Sequence, residues 1–334
     1  MSSTYVYRFL WLQCFRIRES AAMNSTCNSV AKWVGALKML EGKEMKRICI
    51  NKRCLLRSFT TALSAEFAII TAVLLFFSLK DDLGITLDSL CKKCLALIIP
   101  VLLAGLFAVF RACTFRKNKI IDETQLSIIL RYGNLWKYGF PRFCKKERIV
   151  VVNVNTAFDT IVDPPGVHNP LVSARTVHGQ WIEQMKKQGV TPNELNIEIK
   201  KNLAEQKIVP STVLNKDRGN ADIYPKGTIA LYQYKNTTFY LLALSEFDAK
   251  NNAQNTQEEL RKTILTLIEF IGNYSQGYDV YIPVMGSGNS RTGIDDQTAL
   301  ELLSSNLKLN RRSLRGKINV VVYEKNRDKV KIEG

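Results

Sequence analysis

The stretch Gly277 to Asp295, GYDVYIPVMGSGNSRTGID, decides how the rest of the chain is read. It opens with a run rich in β-formers, Tyr278 to Val284, and breaks into Gly286-Ser287-Gly288-Asn289-Ser290-Arg291. It then resumes as a helical pattern from Ile294 to Leu307. In a strand, glycine-rich turn and helix, the backbone comes close to a ligand, and the N–H groups of the turn and of the helix start face an anion. A phosphate suits such a turn. The stretch carries neither a Walker P-loop nor a GxGxxG fingerprint, so the same residues also read as a plain connection between strand and helix.

Working outward, the elements around this stretch alternate. Gln125 to Tyr132 reads as a strand closed by Gly133-Asn134, and Arg148 to Asn155, RIVVVNVN, as a buried central strand. A loop from Thr156 to Val177 follows, then helices His178 to Gln188 and Pro192 to Gln206, the second capped by Thr191 with Pro192 in its first turn. Thr228 to Tyr234 and Thr238 to Phe247 form a hairpin, and Thr256 with Glu259 forms a capping box that opens a helix to about Tyr274. A last strand runs from Lys317 to Glu324. Strands alternating with helices predict a three-layer α/β domain, a mixed sheet flanked by helices, over residues 118–330.

The first half of the chain is different. Residues 1–149 hold 24 Lys and Arg against 10 Asp and Glu, so most of the net charge of +17 flanks the apolar segments and not the globular part. This argues against a nucleic-acid partner. Two apolar segments, about 59–79 and 92–112, form a transmembrane α-hairpin within residues 58–113. Each is long enough for a hydrocarbon core of about 30 Å. Lys and Arg before the first and after the second put both termini in the cytoplasm of a multi-pass protein. Residues 1–57 have no clear period and read either as a cytosolic extension or as codons upstream of an alternative start, Met45 among them.

Arg57, Ser64, Thr71 and Ser78 recur every seven residues on the first span. That small, mildly polar face packs either on the second span or on another subunit. Glu66 lies on the opposite face, as an interfacial anchor or as a functional carboxylate.

All eight cysteines precede residue 150, and His168 and His178 are the only histidines. Residues 150–334 therefore have no cysteine for a disulfide or zinc site, and a histidine-rich metal site is not expected. No metal and no cofactor is called for.

Val150-Val-Val-Asn153-Val-Asn155, Gly133-Asn134-Leu135 and Ile282-Pro283-x-x-Gly286-Ser287-Gly288 together resemble the strand-and-loop signature of macro domains. The spacing of Phe158-Asp159-Thr160, Thr176-Val-His178-Gly179, Ala243-x-x-x-Phe247-Asp248 and Pro283 to Ser290-Arg291 is similar to the macro domain of Thoeris anti-phage effectors of the transmembrane type. The resemblance covers about residues 58–325. It implies a ligand that is an ADP-ribose derivative, a histidine conjugate among the candidates, made by a partner TIR-domain NADase. It further implies Asn153 and Asn155 near the distal ribose, Asp159 as a ribose or adenine contact, His178 as a further ligand contact, and Pro283, Gly286, Ser287, Gly288, Ser290 and Arg291 around the diphosphate.

Some of these residues keep a second reading. Asp159 also suits a loop Asx-turn, His178 a structural residue at a helix start, and Arg291 a solvated loop. No Gly-Gly-Gly-Val loop follows Asn155, so binding is favoured over turnover and no catalytic residue is assigned.

The leading function is therefore a membrane-anchored effector of the bacterial inner membrane that binds the nucleotide signal, forms a homo-oligomer and disrupts the bilayer. The alternatives are a membrane-tethered ADP-ribosyl hydrolase and an ADP-ribose-binding scaffold.

Overall fold

The computed structural model describes residues 46–76, 90–143, 145–167, 170–213, 218–247, 253–254, 256–286 and 293–333. The chain divides into two compact units, Met1–Cys113 and Thr114–Gly334.

In the first unit, helix α1 spans Lys52–Phe76 and helix α2 spans Leu90–Thr114. The stretch Lys52–Leu74 is long and apolar enough to cross a membrane, while the apolar part described in α2, Ile98–Thr114, is shorter. Helix α1 begins at Lys52, ahead of the apolar segment that opens at about residue 59, because nothing in Lys52-Arg53-Cys54-Leu55-Leu56-Arg57 breaks it. On α2 the buried residues Pro100, Ala104, Ala108 and Ala112 fall every fourth position, one stripe along the helix. On α1, Ser64 and Thr71 are exposed, and Ser78 of the same face lies outside the described residues. The Thr71 hydroxyl donates to the Phe67 carbonyl at 2.8 Å, which satisfies it inside its own helix. Glu66 is half-buried, and its Oε2 is shielded without a hydrogen-bond partner.

The second unit is built on an eight-stranded mixed sheet. Its strands are β1 (Lys117–Asp122), β2 (Leu126–Gly133), β3 (Arg148–Asn155), β6 (Ile229–Tyr234), β7 (Thr237–Phe247), β8 (Ala253–Gln254), β9 (Asp279–Pro283) and β10 (Gly316–Tyr323), with β4 (Thr212–Val213) and β5 (Asp222–Ile223) forming a separate ribbon. The order is β1-β2-β10-β9-β3-β7-β6, with β8 added to β7. The five inner strands from β2 to β7 run parallel, and β1, β6 and β8 are antiparallel additions.

Alternation along β3 assigns the layers. Ile149 and Val151 join one core with Leu260, Ile264 and Leu267 of α6 (Gln257–Tyr274) and Leu300 and Leu303 of α7 (Asp296–Leu309). Val150, Val152 and Val154 join the other with Trp181, Ile182 and Met185 of α4 (Val177–Lys187) and Leu195, Ile199 and Leu203 of α5 (Pro192–Glu205). A single turn of helix, α3 (Trp136–Gly139), follows β2. The capping boxes at Thr191 with Glu194 and at Thr256 with Glu259 are both formed, each satisfying N–H groups that a helix start leaves open.

Strand β1 extends the sheet beyond the sequence pattern. Its residues Lys117-Asn-Lys-Ile-Ile-Asp122 are half-exposed on an edge, where charge replaces the apolar alternation that marks inner strands. Phe115, ahead of it, packs on the core beneath α6 and α7, and Val330 and Ile332 are buried there too.

Candidate functional site

The parallel strands β2, β10, β9, β3 and β7 end along one edge, where open α/β sheets gather ligand-binding loops. At the end of β3, the register against β7 shifts between Val154 and Asn155, so that Leu244 and Ser245 oppose one residue. Such a bulge re-aims the residue beside it. Asn155 is then tied into a buried knot. Its Nδ2 donates to Asp159 Oδ2 at 2.8 Å, and the Asp159 N–H returns to Asn155 Oδ1 at 3.0 Å.

Asp159 Oδ1 accepts from the Asn220 N–H at 2.6 Å. The Asn220 side chain in turn donates to the carbonyls of Ala157 and Phe158 and to Asn196 Oδ1. Gly219, at φ +82, lets this happen, since a Cβ there would lie 2.6 Å from Asp159 Oδ1. Phe158 is held at φ 51, an uncommon value for a bulky residue, by full burial and an edge-on contact with Tyr224.

His178 closes the knot from α4. Burial drives its pKa down to about 3, only partly offset by a hydrogen bond to the Asp159 backbone, so its imidazole is neutral. Asn155, Asp159 and His178 are thus brought together, and Asp159 is 2 % exposed with both carboxylate oxygens held by protein donors. Their geometry shapes the loop after β3. Asn153 differs: it is half-buried, and its Oδ1 is shielded without a partner.

On β9, Pro283 is buried and pairs with Val321, so its missing N–H falls at the strand's last position. Gly286 sits at φ +97, and a Cβ there would collide with Leu260 of α6. Its smallness therefore serves both the turn and the packing beneath it. Ser287, Gly288, Ser290 and Arg291 lie outside the described residues. The helix that follows begins two residues later than its sequence pattern, because Asp295 caps it, accepting from the Thr298 N–H at 2.7 Å, and Asp296 occupies the first turn. At the start of α7 the Asp295 carboxylate thus satisfies the Thr298 N–H, while the glycine turn read from the sequence as facing an anion lies mostly outside the described residues.

A crevice of about 600 Å³ opens at the ends of β2 and β10. It is lined by Arg116, Lys117, Arg131, Lys137 and Lys325, by Tyr132, Tyr138 and Tyr323, by Glu324, and by the Gly133-Asn134 backbone. Five cations face one carboxylate. Glu324 lies 3.5 Å from Arg116 in an exposed pair. The Arg131 guanidinium lies 5.3 Å from the centre of the Tyr138 ring, which stacks on Tyr281 at 4.3 Å and 11°. Burial, then Asp279, raises the Tyr281 pKa, and burial pushes that of Tyr132 up to about 12, with its hydroxyl donating to the Val330 carbonyl at 2.7 Å. These tyrosines stay neutral at physiological pH. Such a surface suits a ligand that is anionic and carries a flat ring.

Asn153, Asn155, Asp159, His178, Pro283 and Gly286, the ligand residues read from the sequence that the structure describes, do not line this crevice; of the quoted motifs only Gly133 and Asn134 do. Its cations come from the connection ahead of β1, the edge strand β1, the end of β2, a helical turn and the segment after β10. The available signal was the tyrosine and Glu-Lys pair closing the last strand, together with the basic residues ahead of β2. Among the described residues no group of three His, Cys, Asp or Glu side chains is placed to hold a metal ion.

The profile described as Thoeris protein ThsA, Macro domain matches residues 128–323, more than half of the chain. The Thoeris protein ThsA of Bacillus amyloliquefaciens (strain Y2) is 28% identical over 280 residues, which cover 80% of this chain and 85% of that protein. Among solved structures, the Oceanobacillus iheyensis macrodomain with ADP aligns at 10% identity and a TM-score of 0.39, covering 64% of this chain and 90% of that one. The same macrodomain with MES bound aligns at 11% identity and a TM-score of 0.39, covering 64% and 90%. The strand order, the loops at the parallel edge and the profile agree on a macro-domain-like α/β fold, and the chain belongs to the family of Thoeris ThsA macro-domain proteins.

Proposed function

We propose that the unit from Thr114 onward binds an ADP-ribose derivative along the parallel edge, and that the chain is a membrane-anchored effector of Thoeris anti-phage defence. The observation that carries this reading is the crevice, where five basic side chains and a tyrosine ledge meet the ends of β2 and β10. The signal comes from a TIR-domain enzyme, and a histidine conjugate of ADP-ribose is one form it takes. Binding rather than turnover is favoured because Asn155 and Asp159 saturate one another, and the buried imidazole of His178 is neutral.

The helices α1 and α2 sit in the bacterial inner membrane, with both termini cytoplasmic. In support, large apolar side chains on both helices, such as Leu56, Ile69 and Phe110, are about two-thirds exposed, and Lys52–Leu74 is long and apolar enough to cross a bilayer. Two helices are too few to surround a pore, so damage to the membrane requires several copies. The Ser64 and Thr71 face and the half-buried Glu66 offer contacts between copies. Ligand acts by favouring the assembled state, and a shift from about 1:99 to 99:1 takes about 5.5 kcal/mol of differential binding.

The test is calorimetry of the full-length protein in lipid nanodiscs with ADP-ribose and its amino-acid conjugates, beside the variants Lys137→Glu and Lys325→Glu. Saturable binding by the parent and at least a tenfold loss in the charge reversals support the reading. A folded parent that binds none of these compounds overturns it, and release of ADP-ribose from a conjugate would show a hydrolase instead.

A further inference from the structure

Arg116 belongs to two structures at once. It lines the crevice, and only Phe115 and Arg116 separate the last residue of α2, Thr114, from the first residue of β1. The connection is clamped. The Phe115 carbonyl accepts from Arg327 Nη2 at 2.7 Å, and the Arg116 carbonyl accepts from the Tyr132 N–H at 2.9 Å. Arg327 is 3 % exposed, and its guanidinium lies 5.6 Å from the centre of the Tyr132 ring. The side chain of Arg116, by contrast, is held through one exposed contact, 3.5 Å to Glu324 Oε1. That oxygen is also 3.9 Å from Arg327.

We propose that Glu324 is a built-in competitor for Arg116: it holds the guanidinium when the crevice is empty, and an anionic group of the ligand takes it over when the crevice fills. The inference rests on the nucleotide-binding reading for the identity of that anion. An exposed ion pair is weak, so a phosphate or carboxylate carried in by a ligand with other contacts displaces it readily. Glu324 then turns to Arg327, which already lies beside it and which grips the Phe115 carbonyl. The exchange therefore changes the side-chain partner of the residue before β1 and the charge balance on the clamp of the residue after α2. Occupancy of the crevice reaches the apolar helix through this two-residue connection, because a chain so short has no slack to absorb the change.

Two variants of the full-length protein test this, with binding of ADP-ribose read by calorimetry and self-association in nanodiscs or detergent read by light scattering. Glu324→Gln removes the competing charge. It is expected to tighten ADP-ribose binding about two- to fivefold, the scale on which one exposed pair competes, and to raise self-association without any ligand. Insertion of Gly-Ser-Gly between Thr114 and Phe115 gives the connection slack. It is expected to leave ADP-ribose affinity within about twofold of the parent and to abolish ligand-driven self-association.

The proposal is overturned if Glu324→Gln matches the parent in ligand-free self-association, or if the insertion variant still assembles on ligand as the parent does. Failure of the parent to bind ADP-ribose would count against the nucleotide reading. The ligand-free arm of Glu324→Gln would still decide the role of Glu324.

Discussion

Asn155 and Asp159 hold each other from both sides, side chain to side chain at 2.8 Å and backbone to side chain at 3.0 Å, at the point where β3 leaves the sheet. With Asn220 donating to the same carboxylate, Asp159 serves as the acceptor around which the loop is wound. Asp159→Ala strands the Asn220 N–H and the Asn155 amide in a buried site. The expected loss is about 2 to 4 kcal/mol, measured by urea unfolding of the unit from Thr114 onward. A variant as stable as the parent would mean that the knot is incidental to the fold.

Where the second unit begins has a measurable consequence. A fragment begun at residue 118 loses the packing of Phe115, the Arg116 to Tyr132 backbone bond and the pairing of Lys117 with Arg131. It is expected to be about 2 to 4 kcal/mol less stable than a fragment begun at Thr114. Equal midpoints and slopes in urea would place these residues outside the cooperative unit.

Acid should weaken the fold through His178. Its pKa falls from an ordinary value near 6.5 to about 3 because the folded protein buries it neutral, whereas the unfolded chain takes up a proton below about 6.5. Its contribution is fully present above that value and is lost as the pH falls toward 3, by roughly 2 kcal/mol between pH 7 and pH 5. His178→Leu removes this term. The check is unfolding of parent and variant across that range: the difference between them should narrow or reverse with acid, and parallel pH profiles would show that the imidazole does not titrate as described.

How much of this was legible beforehand follows from where the information lies in the chain. The strand Arg148–Asn155 was plain because RIVVVNVN is apolar and β-branched on both faces, and the helix from Thr256 was plain because its capping box is local. Strand β1 was not, since KNKIID has charges where an inner strand has valines. Asn220 could not be found at all: its importance comes from carbonyls 62 and 63 residues away, and nothing local marks it. The cationic crevice is of the same kind, assembled from the two ends of the unit. Asp295 was visible in the sequence, but its meaning as a cap depended on where the helix began.

Gly286 separates backbone strain from crowding. Gly286→Ala meets both a left-handed backbone and the Leu260 side chain, with an expected cost of about 2 to 3 kcal/mol. Adding Leu260→Ala relieves only the collision, so the double variant should lose less than the sum of the two single changes, by about 1 kcal/mol in thermal or urea unfolding. Strict additivity would show that Leu260 does not limit the turn.

The position of β10 sets the order in which the molecule is made. The apolar helices leave the ribosome first, whereas β10 must slot between β2 and β9, and the Tyr132 hydroxyl waits for a carbonyl 198 residues further on. Until that last segment emerges, the sheet is two unjoined pieces, a β1-β2 hairpin and the group from β9 to β6. A chain cut short between α2 and β10 therefore carries the apolar helices and no crevice, so synthesis completes those helices before the last wall of the crevice exists.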